Sequence, residues 1–240
     1  MIHGNGKDKR MKFFGLQKMT LLDYPGKVAC TVFTGGCNFR CPFCHNALLV
    51  TEIDNSQTYD EEEIISFLKT RRGLLDGVCV TGGEPLLHPS ITGFIGRVKS
   101  LGFAVKLDTN GSFPDTLADI IDAGLVDKVA MDIKNSPDKY GETVGLPDFD
   151  VSAVRKSISL LLEGRVPYEF RTTVVRELHT VEDIAKIAEI ISGAREYYLQ
   201  NFVDSGNLIS SGMSAHPKEV LEEMKNAARI YVPSTEIRGI

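Results

Sequence analysis

The stretch of sequence that decides the fold reads VACTVFTGGCNFRCPFCHN over residues 28–46. Its first six residues are apolar or β-branched, which predicts a strand buried on both faces at Val28–Phe33. The strand leads into a loop with three cysteines, Cys37, Cys41 and Cys44, in the spacing Cys-x3-Cys-x2-Cys. A four-iron cluster has four corners that thiolates normally hold, so three thiolates leave one iron open to a substrate. The stretch therefore predicts a strand followed by an open-cornered cluster.

Three other interpretations of the cysteine loop remain open. His45 could complete a zinc site of three cysteines and one histidine, although adjacent side chains such as Cys44 and His45 meet one tetrahedral ion with difficulty. Residues 41–45 also match the haem-attachment pattern Cys-x-x-Cys-His, and residues 41–44 match a thioredoxin-like dithiol. Both patterns leave Cys37 unused. The four-iron cluster uses all three thiolates and needs an open corner, so the sequence favours it.

Length and composition bound the remaining possibilities. The chain has 240 residues, 42% hydrophobic and 25% charged, which suits a globular domain with a substantial core. The net charge of −5 gives no reason to expect a nucleic-acid partner, and no apolar run reaches membrane-spanning length. Five cysteines, three of them in one loop, indicate a cytoplasmic metal or redox site rather than a disulfide framework. We expect residues 1–12 to form a mobile tail and residues 13–240 a single domain.

Strand patterns alternate with helix patterns along the chain. This alternation predicts parallel strands joined by right-handed crossovers, here curled into a partial (β/α)6 barrel of the α/β class. The other predicted strands are 77–81, 104–108, 128–133, 168–174 and 196–200. The predicted helices are 60–70, 90–100, 115–123, 151–163, 181–192 and 218–229. In such barrels the functional residues lie at the carboxyl ends of the strands, so chemistry-bearing motifs should follow the strands.

Polar motifs do follow these predicted strands. Strand two ends in Gly82-Gly83-Glu84-Pro85, strand three in Asp108-Thr109-Asn110-Gly111, and strand four in Asp132-Ile133-Lys134. Arg171 lies within strand five, where a charge in an apolar strand needs a partner. Each motif alone also fits a turn or a surface ion pair. Their shared position at one rim of the barrel indicates a site for a polar ligand.

The cysteine loop and the rim motifs resemble those of the radical S-adenosylmethionine (SAM) superfamily, in particular its glycyl-radical-enzyme activating enzymes. Residues 15–27 look most like the activating proteins of anaerobic ribonucleoside-triphosphate reductase, and the pyruvate formate-lyase activating enzymes are similar too. The resemblance implies a [4Fe–4S] cluster on Cys37, Cys41 and Cys44, with SAM chelating the open iron. It further implies reductive cleavage of SAM to a 5′-deoxyadenosyl radical, which removes a hydrogen atom from a glycine of a partner enzyme.

The resemblance also implies roles for the rim residues. The implied cofactor-binding residues are Phe43, Gly82, Gly83, Glu84, Asp108, Thr109, Asp132, Lys134 and Arg171. Phe43 is expected near the adenine, and residues 82–84 are expected to receive the amino group of SAM. Lys134 is expected near the SAM carboxylate, while Asp108 and Asp132 are expected to help bind a monovalent cation. The implied partners are a glycyl-radical enzyme and an electron donor of the flavodoxin or ferredoxin type.

Two alternative functions stay open at this point. A radical SAM enzyme that acts on a small molecule, as in the deazaguanine-forming branch, would use the same chemistry. A non-catalytic metal- or cluster-binding module, acting as a scaffold or electron carrier, would bind no SAM and would not need the rim motifs. The sequence also departs from the pyruvate formate-lyase activators after strand six, where no histidine occurs. Gln200 or Asn201 is the candidate replacement for that histidine.

Overall fold

The structure is a computed structural model that describes residues 11–52, 56 and 58–239. Its strands are β1 Lys12–Thr20, β2 Ala29–Thr34, β3 Tyr59–Asp60, β4 Gly77–Gly82, β5 Ala104–Thr109, β6 Lys128–Asp132, β7 Tyr168–Val174, β8 Tyr197–Asn201 and β9 Thr235–Arg238. They form one sheet in the order β3-β1-β2-β4-β5-β6-β7-β8-β9. The strands from β2 onward in this order pair in parallel, whereas β1 pairs antiparallel with β2 and β3.

Helices connect the parallel strands. They are α1 Ala47–Val50, α2 Glu61–Lys69, α3 Ile91–Ser100, α4 Pro114–Asp122, α5 Tyr140–Thr143, α6 Ser152–Leu162, α7 Val181–Ile190 and α8 Lys218–Arg229. All six predicted helices are present, with ends within two residues of the predicted ones. Within the described ranges, no helix has the length and apolar character that crossing a lipid bilayer requires.

The predicted partial barrel of the α/β class is confirmed. In the described part of the chain, the outer strands β3 and β9 each pair on one side only, so the sheet remains open. The parallel part contains the six predicted strands and one more, β9, at its edge. The pattern analysis missed β9 because four residues are too few to establish a periodicity, and it missed β1 because exposed and buried positions mix irregularly along it.

The start of the folded chain also needs a correction. Most of the predicted tail, residues 1–10, lies outside the described residues. Its last two residues do not behave as a tail, because Met11 is buried and Lys12 begins β1. Phe13 then anchors the strand in the core, where its ring packs on Phe94 with 4.5 Å between centroids. The folded part therefore begins no later than Met11.

The register of the parallel strands brings the rim motifs together. Asp132 at the end of β6 lies opposite Arg171 of β7. On β5, Lys106 and Asp108 are two residues apart and so project from the same face of the sheet. Because parallel strands end at one rim, residues from distant parts of the chain become neighbours there.

Candidate active site

A cavity of about 240 Å³ lies at the carboxyl ends of the parallel strands. Every site residue predicted from the sequence lines it: Cys37, Cys41, Phe43, Cys44, Gly82, Gly83, Glu84, Asp108, Thr109, Asp132, Lys134 and Arg171. These residues come from the loops and strand ends of β2, β4, β5, β6 and β7. The structure thus gathers the whole predicted set, while the role of each residue toward a ligand stays a prediction.

The cysteine loop follows β2, and hydrogen bonds fix its course. The Cys44 N–H donates to the Cys41 carbonyl at 3.1 Å, which closes a turn inside the loop. The Arg40 N–H donates to the Val144 carbonyl at 2.8 Å, and the Arg40 guanidinium donates to the Cys37 carbonyl at 2.6 Å. The loop is therefore held both by itself and by the segment that follows α5.

The three thiols differ in exposure but share one electrostatic environment. Burial raises the pKa of the Cys41 thiol to about 12, and it also raises the pKa values of Cys37 and Cys44. The ammonium group of Lys134 acts in the opposite direction at all three thiols, so each pKa is raised less than burial alone would raise it. Lys134 thus favours the thiolate form, which is the form that binds metal.

His45 makes its contacts away from the cysteines. Its Nε2 atom forms a hydrogen bond with the Val203 carbonyl at 2.7 Å. Its ring stacks on Phe202, with 5.6 Å between centroids and 15° between planes. These contacts hold the imidazole against the loop after β8 and occupy one of its two nitrogens. Metal-bound histidines commonly make such a hydrogen bond with their other ring nitrogen, so the argument against a zinc site completed by His45 remains its adjacency to Cys44.

The glycine pair at the end of β4 joins that strand to the cysteine loop. The Gly83 N–H donates to the Thr34 carbonyl at 2.8 Å, and the Glu84 N–H donates to the Gly36 carbonyl at 2.8 Å. A Cβ atom at Gly83 would lie 1.9 Å from the Gly36 carbonyl oxygen. Gly82 has φ of +116°, a conformation that favours glycine. Close contact between two backbones therefore requires both glycines.

The Glu84 carboxylate is buried and ties the loop after β4 to the loop after β5. It accepts hydrogen bonds from the Thr109 hydroxyl at 2.8 Å, the Asn110 N–H at 2.7 Å and the Leu86 N–H at 3.0 Å. Burial raises the pKa of Glu84 to about 7, although these hydrogen bonds act in the opposite direction. A carboxylate has about four acceptor positions, so about one remains for a ligand.

The raised pKa of Glu84 predicts a pH-dependent free energy of unfolding. The folded-state pKa of about 7 exceeds the ordinary 4.5, so the folded chain binds this proton more tightly than the unfolded chain does. The proton on Glu84 stabilises the folded chain fully below the ordinary pKa. This stabilisation, up to about 3 kcal/mol, is lost as the pH rises through the folded-state pKa. In urea unfolding from about pH 5 to about pH 8, Glu84→Gln should therefore lose less stability than the parent protein. Equal losses would contradict this role for Glu84.

Five charged side chains form a line of ion pairs across β5, β6 and β7, which we call the charge chain: Lys106, Asp108, Arg171, Asp132 and Lys134. Lys106 pairs with Asp108 at one end. Arg171 bridges the two aspartates, at 3.3 Å to Asp108 Oδ2 and 2.8 Å to Asp132 Oδ1. Lys134 Nζ lies 3.0 Å from Asp132 Oδ2 at the other end. With three cations and two carboxylates, the charge chain carries one excess positive charge.

The ion pairs keep Asp132, Lys134 and Arg171 ionised despite their burial. Burial alone would raise the pKa of Asp132, but Arg171 and Lys134 outweigh it and hold that pKa well below its usual range. Burial alone would lower the pKa of Lys134, but Asp132 more than compensates and raises it. The pKa of Arg171 is raised against burial by Asp108 and Asp132. Two permanent cations therefore face the cavity, where they suit a carboxylate ligand.

Phe43 forms an apolar wall of the cavity. Its ring packs edge-on against His179, with 6.3 Å between centroids. The buried His179 is itself fixed by hydrogen bonds to the Lys134 carbonyl at 2.8 Å and from the Val175 N–H at 3.1 Å. Burial lowers the pKa of His179, which favours the neutral imidazole. A fixed aromatic wall of this kind suits the flat face of a purine.

The sequence of this chain is similar to those of known proteins. A sequence model of the Radical SAM superfamily matches residues 31–230. This chain belongs to the radical SAM superfamily. A protein of Methanocaldococcus jannaschii, named "Putative glycyl-radical enzyme activating enzyme MJ1227", is 32% identical over 233 residues, covering 94% of this chain and 95% of that protein.

Solved structures of other proteins share the radical SAM fold. A domain of pyruvate-formate lyase-activating enzyme from Bacteroides vulgatus has 20% identity and a TM-score of 0.55, covering 68% of this chain and 99% of that domain. Streptococcus suis SuiB bound to S-adenosylmethionine has 14% identity and a TM-score of 0.67, covering 86% of this chain and 49% of SuiB. At these identities the likeness concerns the fold.

Membership of the radical SAM superfamily implies a [4Fe–4S] cluster and SAM, and the donor set fits the cluster. Cys37, Cys41 and Cys44 are free, line one cavity and offer the soft thiolates that iron–sulfur clusters use. The other two cysteines, Cys30 and Cys79, are buried in β2 and β4 and do not line this cavity. Among the described residues, no three metal-ligating side chains are already gathered at one point. A four-iron cluster does not require such a point, because each of its thiolates binds a separate iron corner.

Lys106 is a buried charged residue beside the cavity that the sequence analysis missed. Its side chain is only 2% exposed, and it contacts Asp108 on the same strand. The available signal was a charge inside an apolar strand, two positions before an aspartate, which is the argument already applied to Arg171. Lys106 precedes the motif Asp108-Thr109-Asn110-Gly111 and is not part of it, so the motif did not point to it.

The end of β8 distinguishes Gln200 from Asn201 as the replacement for the histidine of the pyruvate formate-lyase activators. Gln200 lines the cavity. Asn201 instead exchanges hydrogen bonds with the backbone of His216, at 3.3 Å and 3.4 Å. Successive side chains of a strand point to opposite faces, which is why only one of the two can enter the barrel. The structure thus favours Gln200 as the residue at that position.

Proposed function

We propose that this chain is a radical SAM activase that cleaves SAM and removes a hydrogen atom from a glycine of a partner glycyl-radical enzyme. The observation that supports this most is a single cavity lined by three thiols and by the charge chain. Thiols suit a cluster, and an excess positive charge suits the carboxylate of SAM. Family membership and the name of the M. jannaschii relative support the same activity.

The cysteine thiolates would hold the cluster, and the remaining chemistry belongs to that group. When bound and reduced by one electron from a flavodoxin- or ferredoxin-type protein, the cluster would supply the electron that breaks the sulfur–C5′ bond of SAM, and the products would be methionine and a 5′-deoxyadenosyl radical that takes the glycine hydrogen atom. The protein's own contribution is to bind and orient SAM and to exclude water from the cavity.

Five residues contribute to the binding of SAM, and they act on different parts of the molecule. Lys134 and Arg171 present permanent cations to its carboxylate. Glu84 offers its remaining acceptor position to the ammonium group, and Thr109 orients Glu84 by donating its hydroxyl hydrogen at 2.8 Å. Phe43 provides the wall for the adenine. Binding of the methionyl amino and carboxylate groups at one end and of the adenine at the other fixes the sulfonium between them, which is the orientation that cleavage requires.

For the partner, we propose an anaerobic ribonucleoside-triphosphate reductase, on the resemblance carried by residues 15–27. We place the pair in the cytoplasm, where thiols stay reduced. The pyruvate formate-lyase system is the nearest alternative partner, because its activating enzymes share the rim motifs. The choice between these two partners concerns surfaces outside the cavity, so it has to be made with the partner proteins themselves.

The expected result is formation of a glycyl radical that depends on the partner. The chain is reconstituted anaerobically to about four irons, reduced, and given SAM with purified reductase. An EPR signal of a glycyl radical and a matching amount of 5′-deoxyadenosine should appear. A reductase whose radical-bearing glycine is replaced by alanine should give no glycyl signal. Cleavage of SAM with a small-molecule product instead would favour the small-molecule alternative, and absence of SAM binding would favour the electron carrier.

A further inference from the structure

We infer that the ammonium group of Lys106 takes the place of the monovalent cation expected beside Asp108 and Asp132. The inference rests on the proposed function, because it concerns how the same cavity receives SAM. Lys106 is then a positioning residue: it acts on SAM through the charge chain and not by contact. SAM binding by this chain should accordingly need no alkali-metal ion.

The first argument is the burial of Lys106. Its side chain is 2% exposed, and a buried ammonium group is unfavourable unless a carboxylate pairs with it. The partner is Asp108 Oδ1, two residues along β5 on the same face of the sheet. An apolar side chain would fill this interior position without the cost of burying a charge. The charge itself is therefore the feature that needs an explanation.

The second argument is that each carboxylate oxygen of the two aspartates already faces a positive group. Asp108 gives one oxygen to Lys106 and the other to Arg171, at 3.3 Å. Asp132 gives one oxygen to Arg171 at 2.8 Å and the other to Lys134 at 3.0 Å. An alkali-metal ion would have to enter among three positive groups and share these oxygens with them. The site as it stands does not fit the expected cation.

The third argument is the balance of charge. A site made of the two aspartates, Arg171, Lys134 and one monovalent cation would carry a net charge of +1. The charge chain reaches the same total with Lys106 as the fifth member. Lys106 thus supplies the charge of the missing ion from within the chain, where it is already positioned before SAM arrives.

The test compares two substitutions of Lys106 in salts of different cations. Equilibrium dialysis measures the Kd of SAM for the reconstituted protein in potassium, sodium or tetramethylammonium chloride at equal ionic strength. The parent Kd should change less than about twofold among the salts, well below the usual coupling between two ligands. Lys106→Ala leaves room for an ion, so potassium or sodium should improve its Kd by about tenfold over tetramethylammonium. Lys106→Met fills the space without a charge and should bind weakly in every salt.

A second readout needs neither cluster nor SAM. The thermal midpoint of metal-free Lys106→Ala should rise by about 4 °C or more when potassium or sodium replaces tetramethylammonium, because an ion that binds only the folded chain stabilises it. Lys128→Ala is the matched control. Lys128 lies opposite Lys106 in register and pairs with Glu169 at 3.0 Å. Both Glu169 oxygens keep hydrogen bonds from Arg238, at 3.2 Å and 3.3 Å, so the loss of Lys128 should create no cation dependence.

The outcomes separate the inference from the proposed function. A parent protein that binds SAM only with an alkali cation would overturn the inference, as would a Lys106→Ala variant that behaves like Lys106→Met. If no parent preparation binds SAM in any salt, yet the midpoint of Lys106→Ala still rises with potassium, the proposed function fails and the inference about Lys106 stands.

Discussion

A Cys41→Ala variant should retain no complete four-iron cluster and should form no 5′-deoxyadenosine from SAM. Each cysteine of the loop holds one iron corner in the proposed site, so removal of one thiolate leaves two unsupported corners instead of one. The substitution deletes a single sulfur atom from a buried side chain, and we expect the fold to survive at a cost of about 1 kcal/mol. Iron and sulfide content and 5′-deoxyadenosine are measured after anaerobic reconstitution.

Cys30→Ala and Cys79→Ala are matched controls for Cys41→Ala. Both cysteines are fully buried, and neither lines the cavity. Each control removes the same sulfur atom at a similar cost in stability but should keep iron and SAM cleavage at parent levels. A Cys41→Ala protein that still held four irons and cleaved SAM would contradict the cluster assignment. If the controls lost iron as well, the loss of iron from Cys41→Ala would be explained by general destabilisation of the fold.

Gly83→Ala should lower the free energy of unfolding by at least about 3 kcal/mol, the upper end of the range for overpacking. The new Cβ would lie 1.9 Å from the Gly36 carbonyl oxygen and 2.6 Å from its carbonyl carbon. These are backbone atoms, so no change of rotamer can relieve the clash. The end of β4 has to separate from the cysteine loop, and iron binding should fall together with stability. Urea unfolding and iron content measure the two effects.

Gly93→Ala provides the comparison for Gly83→Ala. Gly93 lies within α3, and a Cβ there meets no atom within 4 Å. Alanine in a helix should stabilise the chain by about 0.5–1 kcal/mol relative to glycine, which is the opposite sign. If Gly83→Ala proved as stable as the parent, the close contact between β4 and the cysteine loop would be wrong.

Among the described residues, local sequence determined six of the nine strands, six of the eight α-helices and the list of candidate residues. Apolar runs such as Val28–Phe33 and Gly77–Thr81 predict buried strands, because a strand covered on both faces needs apolar side chains at successive positions. The spacing of the cysteines determines a shared loop because all three lie within eight residues, from Cys37 to Cys44. The turn at residues 82–85 follows a strand directly. In each case the physical cause acts over a few residues, so a single sequence contains it.

Only the tertiary structure decided which of these residues act on one another. Glu84 is shared between the loops after β4 and β5, and Arg171 bridges Asp108 and Asp132 from a third strand. The pairing of Lys106 with Asp108 is buried only because neighbouring strands and helices cover β5. Contacts of this kind depend on strand register and on burial by distant segments. Local periodicity contains neither, which is why the sequence named the members of the site but not the charge chain that joins them.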